Sequence, residues 1–163
     1  YPYADIATAV SASSPNDTIF LDGDFTISSK IVLPHGLIFQ GVLSRTTVKY
    51  ATFLNTNDDV FYHDGDGTHD FKFRSVDPKN GAYGLHIKKA RSVDIDRLDP
   101  LNNGWSGLGL NTVLPSATSG ELGYDSTQAE LQAFRVSSEV NLFGGAVLIT
   151  ECPNVTLREV YRR

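Results

Sequence analysis

Gly84-Leu-His-Ile-Lys-Lys-Ala-Arg-Ser-Val-Asp-Ile-Asp-Arg-Leu98 decides the fold, because it holds two short alternating strands around a tight bend and because the chain repeats it. Leu85 and Ile87 point one way, His86 and Lys88 the other; past the bend at 90–92, Val93 and Ile95 turn inward while Asp94 and Asp96 turn outward. A unit of this size cannot bury its apolar face alone, so its partners must lie elsewhere in the chain.

Those partners recur at a fixed distance. Phe71, Phe73 and Val76 stand 22 residues before Val93, Ile95 and Leu98, and Asp77-Pro78 stands 22 before Asp99-Pro100. Residues 146–160 match at +62, which places Val147, Ile149, Val155, Leu157 and Val160 under Leu85, Ile87, Val93, Ile95 and Leu98. A period in the low twenties, with several strands per period and no helix between them, is the mark of a β-solenoid.

The 163 residues carry a net charge of -5, which argues against a general grip on nucleic acid, since that needs a basic footprint. The single cysteine, Cys152, allows neither an intrachain disulfide nor a thiolate metal site, and its expected place is a half-buried coil corner. No run of about 18 apolar residues exists, so no membrane insertion is expected, and no secretory signal pattern opens the chain. The lack of methionine and the last repeat running straight into Arg162-Arg163 lead us to expect a piece of a longer protein.

Residues 3–13 carry Ile6, Ala7, Val10 and Ala12 at near-helical spacing and end at Ser14-Pro-Asn-Asp17. Such a helix would lie across the first coil and cover both its unpaired backbone edge and its open apolar end. Short β-rich runs follow: Thr18-Ile-Phe-Leu-Asp22, Phe25-Thr-Ile-Ser28, Lys30-Ile-Val-Leu33, Leu37-Ile-Phe-Gln-Gly41 and Thr46-Thr-Val-Lys-Tyr-Ala51.

A capping helix, then Ala12-Ser-Ser-Pro-Asn-Asp-Thr-Ile-Phe-Leu21, then Phe25-Thr-Ile-Ser-Ser-Lys-Ile-Val-Leu-Pro-His-Gly-Leu-Ile-Phe-Gln-Gly41 resembles the opening of the pectin-lyase-like parallel β-helix superfamily. Asn16 stands where that family usually has Gly, and the turn at 22–24 is shorter than its Gly-rich equivalent. The resemblance implies an all-β, right-handed, single-stranded parallel β-helix with a short N-terminal capping α-helix. Regular coils are expected over 18–110, an irregular excursion over 111–143 and a further coil over 144–163, because the step from Gly107 to Ala146 exceeds the period by roughly 15 residues. Within the excursion, Tyr124 to Arg135 has Thr127 and Glu130 at capping-box spacing and reads as a short helix, with a strand at Phe134 to Val136 as the competing reading.

Candidate chemistry is sparse. His63-Asp-Gly-Asp-Gly-Thr-His-Asp70 has metal-type donors, so Ca²⁺ is conceivable, but the spacing fits no coordinating loop and Asp-Gly pairs make ordinary turns; no cofactor is expected. Asp94 and Asp96 fall within the separation a glycosidase pair needs, although Lys72 and Arg74, 22 residues earlier, would hold both ionised. Other candidate carboxylates are Asp99, Glu121, Asp125 and Glu130. His86, Lys88, Lys89 and Arg91 form a dense basic group able to grip an acidic sugar, or else a solvated corner. Trp105, Tyr83 and Tyr124 sit at turns or in the excursion, where an aromatic face can stack on a pyranose ring. Neither the arginine-centred motif of pectate lyases nor the Asn-x-Asp, Asp-Asp and Gly-His-Gly series of polygalacturonases is present.

The resemblance therefore implies a cell-surface or virion-tail module that engages polysaccharide, similar to a homotrimeric phage tailspike. A secreted extracellular lyase or glycoside hydrolase and a non-catalytic spacer are the alternatives.

Overall fold

Side chains alternate in and out along each short run, so successive runs share one interior only if the coils stack in register. They do so in the computed structural model, which describes residues 3–43, 45–52, 57–98, 103, 106–113, 130–138, 147–150, 155–158 and 161–162, with the backbone alone at 106, 107 and from 110 onward. A helix opens the chain, α1 (Ile6–Ser11), followed by β1 (Thr18–Leu21), β2 (Asp24–Ile27), β3 (Ile31–Val32), β4 (Ile38–Gly41), β5 (Thr47–Tyr50), β6 (Phe61–Asp64) and β7 (Asp70–Lys79). Then come β8 (Tyr83–Ala90), β9 (Ser92–Leu98), β10 (Ser106–Val113), β11 (Glu130–Ser138), β12 (Val147–Thr150), β13 (Val155–Arg158) and β14 (Tyr161–Arg162).

Every pairing among them is parallel, and the chain is an all-β parallel β-helix. One face runs β1-β4-β7-β9-β11-β13 and another β3-β6-β8-β10-β12; a short third ladder joins β2, β5 and the far half of β7. Phe71 stands opposite Val93, Phe73 opposite Ile95 and Val76 opposite Leu98, the register that the 22-residue repeat predicts. The +62 match spans two steps of the stack, since Leu85 faces Leu108 and Leu108 faces Val147.

Part of the expected excursion lies in the stack. Leu131 of β11 faces Val93 on one side and Val155 on the other, so of the two readings of 124–135 the strand holds from Glu130 onward. Two parallel neighbours outweigh a local helix-capping signal there. Since β10 reaches Val113, the surplus length falls at 114–129, outside the described residues.

The interior is made of columns, one residue per coil. Ile19, Phe39, Phe73 and Ile95 form one; Ile31, Phe61, Leu85 and Leu108 form another, all of them buried. Phe39 and Phe73 stack at 5.0 Å with ring planes 7° apart, and Phe61 leans on both from the facing sheet at 5.1 and 5.5 Å. Corners repeat as well: Ser75 (φ 54°) and Arg97 (φ 59°) stand 22 residues apart where the chain turns off one face, a left-handed conformation unusual outside glycine. Buried Asn103 pins the neighbouring corner by accepting the Gly81 N–H at 3.0 Å and donating to the Pro78 carbonyl at 3.4 Å.

The helix is shorter than 3–13. Asp5 caps it by accepting the Thr8 N–H at 2.7 Å, and Ile6, Ala9 and Val10 enter the core beside β3, whereas Ala7 and Ala12 are exposed.

Candidate functional site

The outward column of the second face begins with Val32 on β3, which is 52% exposed, and continues through Tyr62 on β6, His86 on β8 and Gly109 on β10. Strand alternation sets these side chains on the solvent side because Ile31, Phe61, Leu85 and Leu108 take the inner positions. Two tyrosines enclose the imidazole: the Tyr83 ring stacks on His86 at 4.3 Å with planes 30° apart, and Tyr62 meets it edge-on at 5.5 Å. Gly109 makes room for them, since a methyl group there would lie 2.7 Å from Cδ1 of Tyr83 and 3.3 Å from Cδ2 of His86. Lys30 and Lys88 bring their ammonium groups to 5.0 and 5.5 Å from the Tyr62 ring centre, within cation–π range.

Asp59 fixes the imidazole. Its Oδ2 lies 2.8 Å from Nδ1 of His86 and its Oδ1 accepts the Tyr83 N–H at 3.1 Å; the side chains of Asp59 and His86 are each 12% exposed. A carboxylate only accepts, so Nδ1 carries the proton and the lone pair of the neutral ring sits on Nε2. His86 makes no second hydrogen bond among the described residues, which leaves Nε2 open to a ligand. The backbone of Asp59 is held in turn, because Tyr50 Oη donates to its carbonyl at 3.2 Å and the Val60 N–H donates to the Tyr83 carbonyl at 2.9 Å. Burial pushes the Tyr50 phenol well above its ordinary value, so it stays a donor.

No protein-family model, curated protein or solved structure matches the chain.

Of the residues singled out from the sequence, the structure brings together His86, Lys88 and Tyr83. Lys89 and Arg91 leave that group at the corner: Lys89 pairs with Asp64 at 3.1 Å, and Arg91 forms a two-pronged pair with Asp70, its Nε 2.8 Å from Oδ1. The Arg91 guanidinium and the Ser92 hydroxyl hold the Asp70 carboxyl below the usual carboxylate range. Asp94 and Asp96 lie on β9, on the other face, where Arg74 reaches diagonally to Asp94 at 3.3 Å and Arg97 lies 3.8 Å from Asp96. Trp105, Tyr124, Asp99, Glu121 and Asp125, like Cys152, lie outside the described residues, and Glu130 is described by its backbone alone. Ser106, the residue after Trp105, stands opposite Tyr83.

Sequence reasoning missed Asp59, Tyr62 and Lys30. A signal for Tyr62 existed, since Phe61-Tyr62-His63 repeats the pattern of Leu85-His86-Ile87 at +24, the register observed. Asp59 precedes its strand and joins His86 only through the corner. Among the described residues no three His, Cys, Asp or Glu side chains gather as a metal site would require.

A cleft of about 670 Å³ lies elsewhere, between α1 and the free edge of β1, lined by Tyr3, Ile6, Ile19, Phe20 and Phe25. Its acidic residues already have partners: Asp5 caps α1, Asp17 accepts the Ser14 N–H and Asp22 pairs with Arg45. The cleft has room without convergent chemistry. The outward column has fixed polar atoms beside aromatic faces, so we place the candidate site there.

Proposed function

We propose that this β-helix is a polysaccharide-engaging module and that it reads sugar on the column Val32, Tyr62, His86 and Gly109. The observation that carries this reading is the Tyr83 ring stacked on an imidazole that Asp59 locks in one tautomer. Aromatic faces take the apolar side of a pyranose, while His86 Nε2 and the Lys88 ammonium offer hydrogen bonds to its hydroxyl or carboxylate groups. Coils about 4.8 Å apart present such groups at steps comparable to a sugar ring, which suits an extended chain lying along the stack.

Titration calorimetry against a panel of neutral and uronate-containing oligosaccharides tests the proposal. Tyr83→Ala is expected to weaken binding by about tenfold, the scale of one aromatic contact. A panel in which nothing binds the unaltered protein would leave the spacer reading.

The resemblance noted in the sequence favours a tailspike-type setting, virion-borne or extracellular and homotrimeric, and a trimeric mass by sedimentation would support it. The Asp59–His86 pair favours a second reading, a lyase or hydrolase of the same superfamily, because a carboxylate-held imidazole with a free Nε2 has the form of a general base. New reducing or unsaturated ends released from a bound glycan, and lost in His86→Ala, would establish that reading.

A further inference from the structure

His63 does not belong to the outward column. It follows Tyr62 on β6, faces inward opposite Ile87 and is 2% exposed. Its Nδ1 donates to the Leu33 carbonyl at 2.7 Å; its Nε2 is buried without a hydrogen-bond partner. The ring packs on Phe71 at 4.5 Å and meets His69 edge-on at 5.7 Å. The corner 64–69 folds over Nε2 so closely that a methyl group at Gly65 would overlap it. Three backbone bonds tie this corner to the next coil: Gly65 N–H to Lys88 O at 3.4 Å, Gly67 N–H to Lys89 O at 2.8 Å, and Arg91 N–H to His69 O at 2.8 Å.

We propose that His63 makes the 64–69 corner an acid-released latch: a proton on Nε2 has no acceptor in the closed corner, so protonation opens it and frees the three bonds to the next coil.

The charged groups around the ring do not provide that acceptor. Asp64 is engaged by Lys89 and by the Tyr62 hydroxyl, Asp66 by the Thr68 N–H and hydroxyl, and Asp70 by Arg91 and Ser92. Lys88 and Lys89, on β8, add positive charge near the same corner, and His69 adds more when protonated. Burial, the largest influence, lowers the His63 pKa from its ordinary 6.5; His69 acts in the same direction, while the Leu33 carbonyl, Asp64 and Asp66 oppose it without reversing it. The open form, with the ordinary value, therefore takes up the proton first, and closure weakens as pH falls below about 6.5. Asp64, Asp66 and Asp70 are held below 3.8 and keep their charge through this range.

Amide hydrogen exchange by NMR on the intact chain is the test, corrected for intrinsic pH dependence and run at about pH 7.5 and about pH 5. Gly65 and Gly67 are expected to lose protection at the lower pH, with the His63 ring resonance titrating in step. His63→Phe, which keeps His69 and every carboxylate, is expected to hold its protection. Equal loss in His63→Phe would assign the effect to other groups and overturn the proposal. Should that variant fail to fold, the unaltered chain still decides: a His63 ring that titrates while Gly65 and Gly67 keep their protection also overturns it.

Discussion

Oδ2 of Asp59 and Nδ1 of His86 meet at 2.8 Å although 27 residues separate them, and the same carboxylate accepts the Tyr83 N–H. Asp59→Ala leaves two buried or half-buried donors unpaired, and we expect a loss of about 1–3 kcal/mol in urea unfolding. Asp59→Asn can keep the Tyr83 bond but presents an N–H to Nδ1. The imidazole proton is then expected on Nε2, a swap that ¹⁵N spectra read directly.

Gly109 bears the two rings of the site on its open side. Gly109→Val is expected to push Tyr83 off His86 and to cost about 1–3 kcal/mol, as overpacking does. The ring-current shift that Tyr83 imposes on His86 should collapse in the same variant. An unchanged shift would mean that the glycine is not what admits the stack.

Phe73 lies in a three-ring contact with Phe39 and Phe61 and is fully buried. Phe73→Ala is expected to cost about 3–5 kcal/mol in chemical denaturation. The loss should exceed that of Phe20→Ala, because Phe20 is an exposed ring on β1.

Asp70 has a lowered pKa, chiefly because Arg91 donates to it, so its contribution is present above 3.8 and fades as pH falls through the folded value. Arg91 is half exposed, which limits the pair to about 1 kcal/mol or less at neutral pH. Asp70→Asn should be less stable than the parent by that amount at pH 7, with the gap closing in acid. A gap that widens in acid would reverse the assignment.

The ladder was legible because apolar residues alternate on a near-constant repeat: Phe71, Val93 and Val155 lie in one column with Leu131 between the last two. Leu131 escapes the repeat because its distance from Val93 is 38 residues, while Val155 follows it by 24, and the surplus at 114–129 breaks the count. His63 stands among the aspartates of its turn, where hydrophilic composition masks an inward strand position. Its spacing of 24 from Ile87 was the available clue.

The candidate site was half legible. His86, Lys88 and Tyr83 stand close together in sequence, and strand alternation gives two of them one side. Asp59 reaches His86 through the corner that the Ala82 N–H to Asp58 carbonyl bond closes at 2.7 Å, a tertiary arrangement with no local pattern. Lys89 and Arg91 were drawn away by Asp64 and Asp70 one coil earlier, a competition that becomes visible only once coils are stacked.

Asp70 stands beside Ser92 and Phe71 beside Val93, so a cut after Asp70 rejoined at Val93 would splice equivalent points of successive turns. Such a deletion removes a whole storey of the ladder and leaves the remaining columns aligned. Deleting half as many residues would throw every later side chain onto the wrong wall. A molecule written this way can gain or lose height during descent far more easily than it can change its girth.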